Sequence, residues 1–230
     1  MKVEPPWDDV LAAAARLQRL LPDAVLVGGT AAAAHAGHRV SFDDDHVLED
    51  LRTRFDEVLA HVEQAEGWRT ARVNRPVLIL GSLDGIETGI RQLVRRRPLE
   101  LEELDTPSGT IRIPTLEEML RIKAWLVLRR NATRDYLDSV ALADRLGQER
   151  AGAVAVELDA YYEDQLGAGG RRIATQLAKQ LAEPSPFDLS DVDLRRYRRL
   201  ARRWQDWQTV VLACEELAVA MLDRLAEETS

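Results

Sequence analysis

Apolar residues recur at helical spacing from Trp7 to Leu21, at Val10, Leu11, Ala14, Leu17 and Leu21, so the chain is expected to begin with an amphipathic helix. Asp8 and Asp9 stand where the positive end of that helix dipole favours acids. Pro22 and Asp23 end the pattern, and the continuous apolar run Ala24 to Val27 predicts a buried strand. Gly28, Gly29 and Thr30 then open a short Ala-rich helix, whose first N–H groups have no helical partner and suit an anion. Helical spacing returns over Glu49 to Gln64, at Leu51, Phe55, Val58, Leu59 and Val62, and Gly67 closes it. From Trp68 the pattern turns extended. Arg69 to Val73 and Val77 to Leu80 read as strands, and Asp84-Gly85 is a hairpin signal leading into Ile86 to Val94. A further strand is expected over Thr110 to Ile113, and the short hairpin connection predicts largely antiparallel pairing.

At Pro114 the character changes. Thr115 to Glu118 is a capping-box pattern opening a helix to about Arg130. Helices are then expected over Thr133 to Leu146, Gln148 to Gln165, Arg171 to Leu181, Leu194 to Arg203 and Trp204 to Ala226, broken by GAGG at 167–170 and EPSPFDLS at 183–190. The expected class is α+β: a mixed sheet flanked by helices over 1–114, followed by a helical bundle over 115–230.

A content of 46% hydrophobic and 30% charged residues suits an ordinary soluble globular chain. No apolar run reaches the roughly 20 residues of a membrane helix, and the start MKVEPPWDD lacks the pattern of a signal peptide, so a cytoplasmic protein with no membrane partner is expected. The single cysteine, Cys214, excludes an internal disulfide and a multi-cysteine zinc site, and its apolar helical setting reads as core. A net charge of -8 argues against a broad nucleic-acid-binding surface while leaving local basic patches at Arg95 to Arg97, Arg129 with Arg130, and Arg195 to Arg203.

The stretch VGGTAAAAHAGHRVSFDDD carries the chemistry. If Asp43 to Asp45 is extended, Asp43 and Asp45 project from one face and Asp44 from the other. Two carboxylates side by side repel one another, and a divalent cation resolves that repulsion. The GGT-A turn, the HR-x-S and the D-x-D, followed by Lys123 and by Arg134, Asp135, Tyr136 and Asp138 in an RD-x-x-D helix, resemble the nucleotidyltransferases of the DNA polymerase β superfamily, closest to the AbiE (AbiEii) toxin branch. The resemblance covers residues 25–146.

That resemblance implies a Mg2+-dependent transfer of an NMP from an NTP to an acceptor. Asp43 and Asp45 would be the metal ligands. Gly28, Gly29, Thr30, Arg39 and Ser41 would serve the phosphates, and Lys123 would meet the triphosphate as a point charge. Arg134 and Asp135 would line the nucleotide site from the helical domain, with Lys123 and Asp138 in the catalytic set. Relatives place a third carboxylate on a later strand, and Glu87, which shares a face with Gly89 and Arg91, is the candidate here. The implied acceptor is an RNA 3′ end, tRNA first, with a toxin's role in a toxin–antitoxin or phage-defence pair and a cognate antitoxin as partner. The residues also admit plainer readings: a solvated acidic loop at 43–45, a snorkelling Lys123, an i, i+4 pair of Arg134 with Asp138, and Arg39 paired with an acid. Transfer to a small hydroxyl compound and a catalytically weak nucleotide- or partner-binding module are the alternative functions.

Overall fold

In the computed structural model, which describes residues 5–166 and 172–227, Val10, Leu11, Ala14 and Leu17 form the buried stripe of α1 (Trp7–Leu20). The chain divides into two units, Met1–Ala31 with Val40–Thr115, and Ala32–Arg39 with Leu116–Ser230.

The first unit is built on a five-stranded mixed sheet. β1 (Val25–Val27) leads into α2 (Gly28–Ala36), and β2 (Asp43–Leu48) into α3 (Leu51–Glu63). Then come β3 (Trp68–Asn74), β4 (Leu78–Leu83) and β5 (Ile86–Gln92), giving the order β1-β2-β5-β4-β3. The pairs β1–β2, β3–β4 and β4–β5 are antiparallel, while β2 and β5 run parallel. That parallel pair is possible because α3 and the β3–β4 hairpin supply the long crossover it needs. Asp84 and Gly85 turn between β4 and β5 with φ 54 and 85, the left-handed pair of a tight hairpin. Leu48, Ile79, Leu83 and Ile90 from the sheet pack on Leu51, Phe55, Val58 and Val62 of α3 and on Leu17 and Leu21. Burying these apolar side chains is the main term holding the sheet to its helices, at about 1.5–3 kcal/mol for each one fully buried.

A separate two-stranded sheet joins β6 (Leu101–Thr106) to β7 (Gly109–Pro114). β7 is the strand expected at Thr110 to Ile113; β6 has no counterpart in the sequence pattern. Its residues are mostly exposed and half of them acidic, and it owes its extended form to pairing with β7, Leu104 opposite Ile111.

The second unit is helical: α4 (Leu116–Arg130), α5 (Thr133–Leu146), α6 (Gln148–Val156), α7 (Leu158–Tyr161), α8 (Ile173–Ala182) and α9 (Trp207–Glu227). The expected helix over 148–165 is interrupted at Glu157, whose carboxylate accepts a 2.5 Å hydrogen bond from Arg121 of α4. Gly152 lets α6 lie close on α9, since a Cβ there would stand 2.8 Å from that of Ala220. Cys214 is a buried core residue, as expected. The predicted break at 167–170 lies outside the described residues.

The expected helix over Leu194 to Arg203 is not formed. Its place is taken by turns and a short 3-10 segment, Arg202–Gln205. Only Leu194 and Leu200 are buried between 194 and 200, and a separation of six residues does not make one helical face. The Ala201 N–H bonds to the His38 carbonyl at 2.7 Å in place of a carbonyl four residues back. Among the described residues, no helix is long and apolar enough to cross a membrane.

Candidate functional site

β2 alternates as its sequence predicts. Asp44, His46 and Leu48 are buried, while Asp43, Asp45 and Val47 are partly exposed on the other face. In the parallel register with β5, Asp43 lies opposite Glu87 and Asp45 opposite Gly89, so these four positions share a face. Glycines on two elements leave room for the Asp45 side chain. A Cβ at Gly89 would stand 2.4 Å from Asp45 Oδ1, and one at Gly28 would stand 3.1 Å from Asp45 Cβ. Gly28 also has φ +73, where a Cβ is disfavoured, so it serves both the turn out of β1 and the clearance around the carboxylate. Arg91 Nε lies 3.3 Å from Asp45 Oδ1.

Asp43 is fixed from behind. The Ser41 hydroxyl donates to Asp43 Oδ1 at 2.6 Å, and the Thr30 hydroxyl donates to the Asp43 carbonyl at 2.5 Å. Both hydroxyl-bearing residues are fully buried, so these hydroxyls brace β2. Gly28, Gly29 and Thr30 form the first turn of α2, where backbone N–H groups lack helical acceptors.

On the opposite face Asp44 and His46 are wholly buried. Asp44 Oδ1 is 3.1 Å from His46 Nδ1, close enough for an ion pair but off the line of a hydrogen bond. Gln18 Nε2 is 3.4 Å from His46 Nε2, and Gln18 also bonds both the N–H and the carbonyl of Arg112. Burial pushes the Asp44 carboxyl above its usual range, His46 opposes that, and the like charges of Asp45 and Asp43 add to it. Alternation predicts that Asp44 points away; the sequence reading missed His46, which the same period of two puts next on that face, and Gln18, for which no local signal exists.

Two carboxylates on one strand face, Asp45 seated where Gly28 and Gly89 leave room for its side chain, suit a Mg2+ ion in their donor chemistry. Mg2+ is commonly held by one or two carboxylates and completed by substrate phosphates and water. A closed protein cage is not built: among the described residues no group of three or more His, Cys, Asp or Glu is arranged to hold a metal. Glu87 is exposed and in register with Asp43 without completing such a group.

The second unit gathers the other expected residues around Asp138. Its Oδ1 accepts from Arg39 Nε at 2.7 Å and lies 2.7 Å from His38 Nε2, which must carry the proton against a carboxylate. Its Oδ2 accepts from Arg39 Nη2 at 2.9 Å and from Lys123 Nζ at 2.7 Å. Burial alone would push this carboxyl up, but Arg39, Lys123 and His38 outweigh it and hold Asp138 well below the usual range. Lys123 therefore does not snorkel out; its ammonium is buried against Asp138. Arg39 takes the acid pairing, and the i, i+4 pair of Arg134 with Asp138 is not formed, because Arg134 is exposed and Asp138 is occupied. Asp135, in the first turn of α5, is buried with no hydrogen-bond partner for either oxygen. Burial raises its pKa, and Lys123, Arg130 and Arg134 pull the other way. Asp138 thus sets the positions of Lys123 and Arg39, whereas Asp135 is a carboxyl with unused acceptor capacity.

No family model matches the chain. It is 33% identical over 241 aligned positions to the heme uptake protein MmpL11 of Mycobacterium tuberculosis, an alignment covering 95% of this chain. It is 35% identical over 130 positions to the mycolic acid-containing lipids exporter MmpL11 of Mycolicibacterium smegmatis, covering 56% of this chain and 13% of that protein. The chain spans 23% of the length of the M. tuberculosis relative. Among solved structures, that of a candidate nucleotidyltransferase from H. pylori superimposes with a TM-score of 0.52 at 16% identity, covering 96% of this chain and 95% of the other. At that identity the likeness is one of fold: an N-terminal mixed sheet flanked by helices, followed by a helical region.

Proposed function

We propose that the chain is a Mg2+-dependent nucleotidyltransferase that moves an NMP from an NTP to an acceptor hydroxyl. The observation that carries this reading is the pairing of Asp43 and Asp45 on one face of β2, with Gly28 and Gly89 leaving room for the Asp45 side chain. Bound Mg2+ would neutralise charge developing on the transferred phosphoryl group and the leaving pyrophosphate. Asp43 and Asp45 are the residues that would hold it. Ser41 and Thr30 fix Asp43, Arg91 steers Asp45, and the first turn of α2 offers N–H groups to phosphate oxygens. Glu87, exposed and in register with Asp43, would take the proton of an acceptor hydroxyl. In the helical unit Arg134 and Asp135 are the nucleotide-binding candidates, and Asp138 holds Lys123 and Arg39 in fixed positions.

The acceptor in this reading is an RNA 3′ end, tRNA first. The finer assignment is the AbiE toxin branch, acting in the cytoplasm and silenced by an antitoxin. It rests on the GGT, HR-x-S-x-D-x-D and K with RD-x-x-D residues. A second reading is favoured by the 33% identity to transport proteins: a nucleotide-binding module that serves a transporter without transferring a nucleotide.

Incubation with Mg2+, each α-labelled NTP in turn and total RNA separates the two. A labelled RNA band that Asp43→Ala and Asp45→Ala each abolish, without lowering the melting temperature, supports transfer. Binding of NTP with no labelled product from RNA or from small hydroxyl compounds supports the module. Full transfer in both variants removes the metal assignment.

A further inference from the structure

We infer that Asp188, in the EPSPFDLS segment between α8 and α9, is a positioning residue: it fixes the first turn of α5 and, through that turn, Arg134 and Asp135; that these two meet a nucleotide rests on the nucleotidyl-transfer reading. The first N–H groups of a helix need an acceptor from outside the helix. Ala132, at the N-cap of α5, has no side-chain acceptor to give. Asp188 supplies one from 55 residues along the chain: its Oδ1 accepts from the Thr133 N–H at 2.7 Å and from the Thr133 hydroxyl at 2.8 Å. Thr133 is fully buried, so water does not compete for these bonds, and a carboxylate at this end also suits the helix dipole.

The segment that carries Asp188 is itself held. Asn131 Nδ2 donates to the Ser185 carbonyl at 2.8 Å, and the Phe187 N–H donates to the Asn131 carbonyl at 3.0 Å. Gln180 of α8 donates to Asn131 Oδ1 at 2.9 Å and to the Val127 carbonyl at 3.0 Å, and the Tyr136 hydroxyl donates to Asn131 Oδ1 at 2.6 Å. Residues 185–188, α8, the end of α4 and the start of α5 are thus one bonded assembly within the helical unit. The two acids of α5 depend on it differently. Asp138 is fixed by His38, Arg39 and Lys123, whatever happens at the cap. Asp135 has no hydrogen-bond partner for either oxygen among the described residues, so its carboxylate goes where the first turn puts it. Arg134 follows Thr133 directly and leaves from that same turn. Loss of the cap therefore reaches the two nucleotide-binding candidates and spares Asp138.

A cap of the same construction provides the control. Asp159 Oδ1 accepts from the N–H groups of Ile173 at 2.5 Å and Ala174 at 3.2 Å, at the head of α8, and Asp159 also pairs with Arg172. Equilibrium binding to the full chain is measured with Mg2+ and the α,β-methylene analogue of each ribonucleoside triphosphate in turn, beside the melting temperature. Asp188→Ala and Asp159→Ala are each expected to melt about 2–4 °C lower, as for loss of one helix cap. Asp188→Ala is expected to bind the preferred analogue at least fivefold more weakly, and Asp159→Ala less than twofold more weakly. Asp188→Asn keeps an oxygen that can accept both Thr133 bonds and should bind within twofold of wild type. Equal losses in the two alanine variants, no loss in Asp188→Ala, or no recovery in Asp188→Asn would each overturn the role. A wild type that binds no analogue removes the nucleotide reading beneath it, whereas a wild type that binds and an Asp188→Ala that binds equally well remove the role of Asp188 alone.

Discussion

Asp138 holds three basic side chains from full burial, and its removal tests how much a satisfied internal charge contributes. Arg39 and Lys123 would be left with a neutral acceptor where they now have a carboxylate. Breaking a buried pair by deleting one partner costs about 3–5 kcal/mol. At about 2–4 °C per kcal/mol for a chain of this size, Asp138→Asn is expected to melt about 6–20 °C lower at pH 7. The pH dependence has a definite sign. Burial pushes the carboxyl up, but Arg39, Lys123 and His38 hold it well below its usual range. The stabilisation is therefore complete above the unfolded value of about 3.9 and is lost as pH falls through the folded value. Melting curves of wild type and Asp138→Asn should converge on acidification below about pH 4; a constant gap down to pH 2 would contradict the ion-pair account. The RD-x-x-D spacing made Asp135 and Asp138 legible as important acids. Their different tasks were not legible, because two of the partners that set Asp138 apart, Arg39 and His38, lie 99 and 100 residues away in sequence.

At the scale of elements, the side-chain period of two in a strand is enough to put Asp43 and Asp45 together and Asp44 opposite. What sequence could not supply was the neighbour. Only the parallel register of β5 brings Gly89 against Asp45. Gly89→Ala is expected to push the Asp45 carboxylate aside, costing about 1–2 kcal/mol of stability as local overpacking and at least tenfold in labelled transfer. Gly85→Ala is the contrast: its Cβ meets nothing within 4 Å but its φ is +85. It should cost about 1–2 kcal/mol through the backbone and leave transfer unchanged. Equal transfer rates in the two variants would remove the cradle from the mechanism. The elements that sequence misjudged share a cause. β6 and the turns over 194–200 lack a strong apolar period of their own and take their form from distant partners, β7 in one case and the His38 carbonyl in the other.

For the whole molecule, a change of hydrophobic period marks where strands give way to helices, but it carries no sign that Ala32–Arg39 groups with the helical unit. The Asp138 pairs with His38 and Arg39 supply that link, so the second unit is stitched from two stretches of chain. Cys214 gives a probe of that unit alone. It is fully buried in α9, and burial, with a smaller push from Glu215, raises its thiol pKa to about 12, so very little thiolate exists at pH 8 even were reagent to reach it. Labelling by a thiol reagent should then proceed only through opening of the helical unit. If Asp138→Asn removes about 3–5 kcal/mol from that unit, the open population rises about 10²-fold or more, at about 1.4 kcal/mol for each factor of ten. Labelling should accelerate in proportion while reclosing remains fast. Gly89→Ala, whose lesion lies in the sheet unit and is small, should leave the labelling rate within a few-fold of wild type. Equal acceleration by both variants would mean that Cys214 reports global unfolding, and the two stretches of the helical unit would then have no stability that can be read separately from the sheet.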